Sequence, residues 1–136
     1  MPSAEPILLD THAVLWWQAE SDRLPAGARE RIAAAGTVLV SPISCWEIAM
    51  LVSKQRVRLD RPTTAWVRDL LATDGVELAA LTPSIAVAAA ELHDFHGDPA
   101  DCFLYATARL LDVSLLSKDR RLRDYAEPDR TVSVLW

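Results

Sequence analysis

The chain predicts an α/β fold: a three-layer α/β/α sandwich around a central, mainly parallel sheet of four to five strands. Three observations lead there. Short apolar runs rich in Leu, Ile and Val recur along the chain. Segments of helical length separate them, several opened by proline, and Gly36 or Asp74-Gly75 closes two of these segments. Short strands alternating with helices of about ten residues pair in parallel through crossovers, and the crossover helices cover both sheet faces.

Taken in order, Ile7-Leu8-Leu9 reads as a strand that stops at Asp10-Thr11, after which Ala13, Leu15, Trp16 and Trp17 suit an apolar helix. Pro25 and Gly36 bracket a helix over 26–35, with proline at the start and glycine past the end. Residues 37–40, Thr-Val-Leu-Val, form a buried strand. Helices follow over 44–54 and 62–73, then a strand over 76–81. Pro83 begins an alanine-rich helix to about residue 92, and Asp98-Pro99 begins another that reaches 111. Residues 114–117 make a fourth strand, 119–125 a short basic helix and 131–135 an edge strand.

At 136 residues the chain fits one domain, 1–136, long enough to bury roughly two thirds of its unfolded surface without disulfides. The N-terminus is expected to carry no leader, and Cys45 and Cys102 lie at helix starts as small thiols whose positions allow them to approach one another. A cytoplasmic protein with reduced thiols is expected. The longest apolar runs fall well short of the ~20 residues that span a bilayer, so no membrane partner is expected. The four glycines form neither a P-loop nor a dinucleotide fingerprint, so no nucleotide cofactor is expected.

The function-bearing residues are acidic. Asp10, Glu47, Asp101 and Asp119 each stand where an apolar stretch ends or a helix begins. In parallel sheets ligands bind beyond the carboxyl ends of the strands, which is where Asp10 and Asp119 fall. Each has an ordinary reading too. Asp10 and Asp119 suit N-caps, Ser44-Cys45-Trp46-Glu47 has the form of a capping box, and Asp98 suits the cap of a helix whose positive end favours Asp101. Four separate caps have no reason to share one edge of a fold, whereas a hard divalent cation needs clustered oxygen ligands. Packed together without metal, such side chains repel and at least one has its pKa raised.

Net charge of −5 argues against a polyanion binder, but the four acids supply most of that excess and a bound cation reverses the local field. The basic residues are mostly arginine, and they cluster at Lys54, Arg56, Arg58 and Arg61 and around Asp119. Lys118, Arg120 and Arg121 are candidate RNA-phosphate contacts. Thr11 and Ser117 flank the strand-end acids and suit hydrogen bonds that orient a ligand carboxylate. His12, His93 and His96 lack zinc-site spacing. Of Trp16 and Trp17 one is expected to be exposed, while the remaining tryptophans, at 46, 66 and 136, are expected in the core.

Four segments carry a family resemblance: Leu8-Leu9-Asp10-Thr11-His12, the stretch Ser41-Pro42-Ile43-Ser44-Cys45-Trp46-Glu47-Ile48-Ala49, the stretch Gly97-Asp98-Pro99-Ala100-Asp101-Cys102-Phe103-Leu104-Tyr105-Ala106-Thr107-Ala108, and Leu115-Leu116-Ser117-Lys118-Asp119. Together, and over essentially the whole chain, they resemble the PIN domain, specifically VapC-type toxins of bacterial toxin–antitoxin pairs. The resemblance implies that Asp10, Glu47, Asp101 and Asp119 form the Mg²⁺ or Mn²⁺ site of a ribonuclease, with Asp98 as a further acidic residue. It also implies a homodimer neutralised by a cognate antitoxin protein that wraps the toxin. Two positions depart from it: arginine is frequent immediately after the third acid, where this chain has Cys102, and, as a milder change, Ala100 stands where an aromatic is common.

The expected activity is endoribonuclease: water activated by the metal hydrolyses RNA phosphodiesters, leaving 5′-phosphate and 3′-hydroxyl ends. Two other readings compete. A binding module with the same acids but little catalysis finds support in Cys102. A receiver-like or phosphotransfer domain also uses strand-end acids, but His12 occupies the position where a phosphatase places its second aspartate.

Overall fold

The computed structural model describes residues 5–95, 97–125 and 132–136. Among these residues five strands form one sheet: β1 (Ile7–Leu9), β2 (Val38–Val40), β3 (Val76–Leu78), β4 (Ser114–Leu116) and β5 (Val134–Leu135). Their order is β3-β2-β1-β4-β5, and every pairing is parallel. Among the described residues seven helices connect them: α1 (Thr11–Gln18), α2 (Ala26–Ala34), α3 (Pro42–Ser53), α4 (Thr63–Leu71), α5 (Pro83–Ala90), α6 (Pro99–Leu111) and α7 (Arg120–Asp124). The architecture is the three-layer sandwich expected from the alternation of elements.

The period of two along β1 divides its side chains between two cores. Ile7 and Leu9 face one layer, with Val14 of α1, Ile32 of α2, Ile48 of α3 and Leu70 of α4. Leu8 faces the other, with Leu104 and Tyr105 of α6 and Leu122 of α7. Every β1 side chain is at most 5% exposed, which is what a central strand covered on both faces requires. Burying such a Leu or Ile stabilises by about 1.5–3 kcal/mol.

The sheet order creates a crevice. From β1 the chain moves outward through β2 and β3, then returns to lay β4 on the opposite flank of β1. The connections leaving β1 and β4 therefore diverge, and the carboxyl ends of these two neighbours form the switch point of the sheet. Their register pairs Leu9 with Leu116, so Asp10 and Ser117 emerge side by side.

Several boundaries differ from the sequence expectation. The helix expected from residue 44 begins at Pro42, because Ser41 caps it by accepting a hydrogen bond from the Ile43 amide at 3.1 Å. Ser-Pro is here a start signal, like Thr82-Pro83 and Asp98-Pro99. The capping-box reading of Ser44 and Glu47 is thereby excluded. Strand β3 stops at Leu78, which is half exposed at the sheet edge. Residue 131, expected to begin the last strand, lies outside the described residues. No helix among the described residues is long and apolar enough to cross a membrane.

Candidate active site

The switch point gathers the acids by backbone logic. Asp10 follows β1 and caps α1, its Oδ1 accepting the Ala13 amide at 2.8 Å. Its other oxygen accepts the Ser117 hydroxyl at 2.6 Å across the crevice. Ser117 in turn accepts the Asp119 amide at 3.1 Å, so a single buried serine ties the end of β1 to the loop that carries the second strand-end acid. Asp119 caps α7 through the Arg121 amide at 2.9 Å.

Glu47 reaches the same place from α3. Ser44 is wholly buried, and its hydroxyl lies 3.1 Å from that of Thr11. Thr11 donates to Glu47 Oε1. Thus Thr11, the first residue of α1, anchors the glutamate beside Asp10. Ser44 is the residue that sequence reasoning missed. Its role depends on a partner 33 positions away, and the only local signal was a small polar residue on the apolar face of α3.

From the far side comes α6. Asp98 caps it by accepting the Ala100 amide at 3.0 Å, and Asp101 stands in its first turn. Asp101 hydrogen-bonds to Asp119, and its carboxyl is pushed up to about 8 by burial, then by that bond and by the charges of Asp119, Asp98 and Glu47. Burial also pushes Asp10 up, against the hydrogen bonds from Ser117 and Ala13. Glu47 rises by burial, against the bond from Thr11, with Asp98 and Asp10 adding repulsion. The structure therefore brings Asp10, Glu47, Asp98, Asp101 and Asp119 within electrostatic reach of one another.

Among the described residues no three His, Cys, Asp or Glu side chains form a preformed metal cage. The donor chemistry nonetheless fits a hard divalent cation, since every converging group is a carboxylate and none is a thiolate or imidazole. A cation placed among them would offset the mutual repulsion that, together with burial, raises Asp101.

The remaining expected residues divide. Lys118 lies over the Trp16 ring, 4.9 Å from its centroid. Arg120 and Arg121 are exposed on α7, and the Arg121 guanidinium is 3.7 Å from Asp119. His12 is exposed with its ring 5.5 Å from that of Trp16, and its charge favours ionised Asp10 and Glu47. His93 only lends its carbonyl to the Tyr125 hydroxyl, and His96 lies outside the described residues.

Three expectations need correction or detail. Trp46, expected in the core, is 56% exposed, while Trp16 and Trp17 are both partly buried. Residue 46 sits on the outer side of α3, away from Ser44 and Ile48. The cysteines are free thiols in separate apolar clusters. Cys102 packs against the α5–α6 seam, where burial and then Asp101 and Asp98 push its thiol up; neutral and turned into that seam, it offers no phosphate contact. Ala100 is 1% exposed, which explains why a small residue stands there.

A parallel sheet with a cluster of carboxylates at its switch point defines a class, that of three-layer α/β domains with an acidic site beyond the strand ends. Within that class the chain belongs to the PIN domain family, whose description matches residues 7–128. It is 40% identical over 129 residues to Ribonuclease VapC22 of Mycobacterium tuberculosis, covering 94% of this chain and 97% of that protein. Among solved structures, VapBC2 from Rickettsia felis bound to a promoter DNA fragment superposes with a TM-score of 0.70 at 13% identity, covering 96% of this chain and 98% of that one. A toxin–antitoxin complex from Klebsiella pneumoniae gives 0.65 at 18% identity, covering 93% and 94%. Ribonucleases of this family depend on a metal ion.

Proposed function

We propose that this chain is a metal-dependent endoribonuclease and the toxin of a toxin–antitoxin pair. Asp10, Glu47, Asp101 and Asp119 are its catalytic, metal-holding acids. The observation that carries this reading is their convergence from four separate segments onto one sheet edge, close enough to hold Asp101 at about 8. The match to Ribonuclease VapC22 over nearly the whole of both chains supports the activity, and the toxin–antitoxin structures of the same fold support the partner.

The acids suit Mg²⁺, with Mn²⁺ as a substitute, and when bound the ion supplies charge neutralisation at the phosphoryl oxygens and a nucleophile at neutral pH. The protein's own residues supply order. Ser117 and the Ala13 amide fix both oxygens of Asp10, and Thr11, backed by Ser44, fixes Glu47. Asp98, committed to its helix cap, adds negative charge to the cluster. Lys118, Arg120 and Arg121 border the acids and suit the flanking phosphates. Hydrolysis by water leaves 5′-phosphate and 3′-hydroxyl ends. A homodimer under the control of a cognate antitoxin completes the proposal, and the cytoplasm is the compartment that free Cys45 and Cys102 suit.

The test is cleavage of end-labelled total RNA by the antitoxin-free chain with Mg²⁺, Mn²⁺ or EDTA, beside Asp10→Asn and Asp101→Asn. Metal-dependent cuts that carry 5′-phosphates and vanish in both variants are expected. A 2′,3′-cyclic phosphate product, or cutting in EDTA, would sink the mechanism.

A further inference from the structure

Asp119 stands at the head of a helix too short to hold itself. α7 has five residues, and so short a helix is unfavourable in water by itself, so its place depends on tertiary anchors. Leu122 supplies one, 1% exposed in the core that Leu104 and Tyr105 of α6 share. The other lies at the far end, where Tyr125 follows the last turn. Its ring meets that of Tyr105 with centroids 5.1 Å apart at 82°, and that of Phe95 at 5.0 Å and 71°. Both are edge-to-face contacts of the kind aromatic pairs prefer. The Tyr125 hydroxyl also donates to the His93 carbonyl. One side chain thus joins α7 to the middle of α6 and, twice, to the connection between α5 and α6.

That connection leads into the acids of α6. Phe95 is folded over Gly97, where a Cβ would stand 2.5 Å from the ring. Gly97 runs directly into Asp98, the cap of α6, and Asp101 follows in the first turn. The aromatic contacts therefore close on the two elements whose carboxylates repel one another, Asp119 on α7 and Asp98 with Asp101 on α6. Ser117 ties Asp119 to β1, whereas the rings tie it to α6. Repelling charges move apart unless the elements beneath them are held, and packed rings resist that movement without adding charge of their own.

We propose that Tyr125 and Phe95 are positioning residues for the acid site: their contact clasps α7 to the α5–α6 connection and so sets the spacing between Asp119 and the α6 carboxylates that a metal ion must bridge. The inference rests on the nuclease reading, since it concerns the geometry of the same acids.

The test is Mn²⁺ binding to the full-length chain by calorimetry, beside thermal melts in EDTA that show each variant folded at the working temperature. Tyr125→Leu removes the ring and is expected to bind Mn²⁺ about 10–100-fold more weakly, the loss that follows when a partner orienting metal ligands is removed. Tyr125→Phe keeps both ring contacts and loses only a partly solvated hydrogen bond, so it is expected to stay within about threefold of the unmodified chain. Gly97→Ala opens the clasp without touching Tyr125, because the new methyl pushes the Phe95 ring aside; at least about threefold weaker binding is expected. Val113→Ala trims the same core at the amino end of β4, away from the acids, and should lower the melting temperature while leaving Mn²⁺ affinity within about twofold. Unchanged affinity in Tyr125→Leu, or in Gly97→Ala should Tyr125→Leu not fold, would overturn the clasp. An equal loss in Val113→Ala would reduce the effect to general destabilisation and overturn it as well. Failure of the unmodified chain to bind Mn²⁺ at all would instead strike the nuclease reading, and the clasp with it.

Discussion

The two halves of the acid cluster are built differently. On the β1 side, Asp10 and Glu47 are each held by a hydroxyl, from Ser117 and Thr11 respectively, and Asp10 also takes the Ala13 amide. On the α6 side, Asp101 has Asp119 as its neighbour and further negative charge from Asp98 and Glu47. One half is organised by the fold, whereas the other is frustrated without a cation. The lesson is that the proposed metal site is not uniformly preorganised. In that proposal the fixed pair of carboxylates would set the position, and the repelling pair would supply the energetic demand for an ion.

The sharpest way to break this comparison is to delete one acid from each half. Asp10→Ala and Asp101→Asn are both expected to reduce RNA cleavage by more than the roughly 10–100-fold that altering an outer partner of a metal ligand costs. Their metal-free thermal melts at pH 8 should move oppositely. Asp10→Ala removes a cap, worth about 0.5–2 kcal/mol, and strands the buried Ser117 hydroxyl, so its melting temperature falls. Asp101→Asn keeps a polar partner for Asp119 while removing a repelling charge, so its melting temperature rises. Two shifts of the same sign would mean that the halves do not differ.

Next in size is a pH effect. The folded Asp101 carboxyl titrates at about 8 against an ordinary value of 3.8, so between these values the native state binds more protons than the unfolded chain. Stability of the metal-free protein therefore falls as pH rises from about 4 towards 8, and it levels off above. Asp10 and Glu47, both raised, contribute with the same sign. Chemical denaturation across pH 4–9 in EDTA checks this. Saturating Mg²⁺ should lift the high-pH end of the curve, and Asp101→Asn should flatten it.

Much of this site was legible in the sequence, and the failures are instructive. Asp10 and Asp119 follow apolar runs, so their place at strand ends is a local property that hydrophobic patterning reveals. Asp98 and Asp101 announce themselves through Asp98-Pro99, a helix start. Glu47 was ambiguous because Ser44 stands three residues earlier; only the tertiary approach of Thr11 shows that this serine braces Glu47 through Thr11 and caps nothing. Trp46 misled for a related reason. Its apolarity argued for the core, but its helical phase, one position from Glu47 and two from Ile48, turns it outward. The strand order, which puts β4 beside β1 and so makes the crevice, is a long-range pairing that no local pattern encodes.

The smaller predictions concern the hydroxyls of the organised half. Ser117→Ala leaves the buried Asp10 oxygen without its donor and is expected to destabilise the chain by about 1–3 kcal/mol. Thr11→Val keeps the shape of the side chain but frees Glu47, which is only partly buried and regains water, so its stability cost stays near 0.5–1.5 kcal/mol. Its larger consequence should be for the metal, with about 10–100-fold weaker Mn²⁺ binding by calorimetry. Ser44→Ala lies one step further out, touching Thr11 and not the glutamate, so Mn²⁺ affinity should fall by less than in Thr11→Val. That ordering is the finest test of the asymmetry. If Ser44→Ala weakened Mn²⁺ binding as much as Thr11→Val, Ser44 would be positioning Glu47 through the helix itself, and the hydroxyl relay would not be what organises this half.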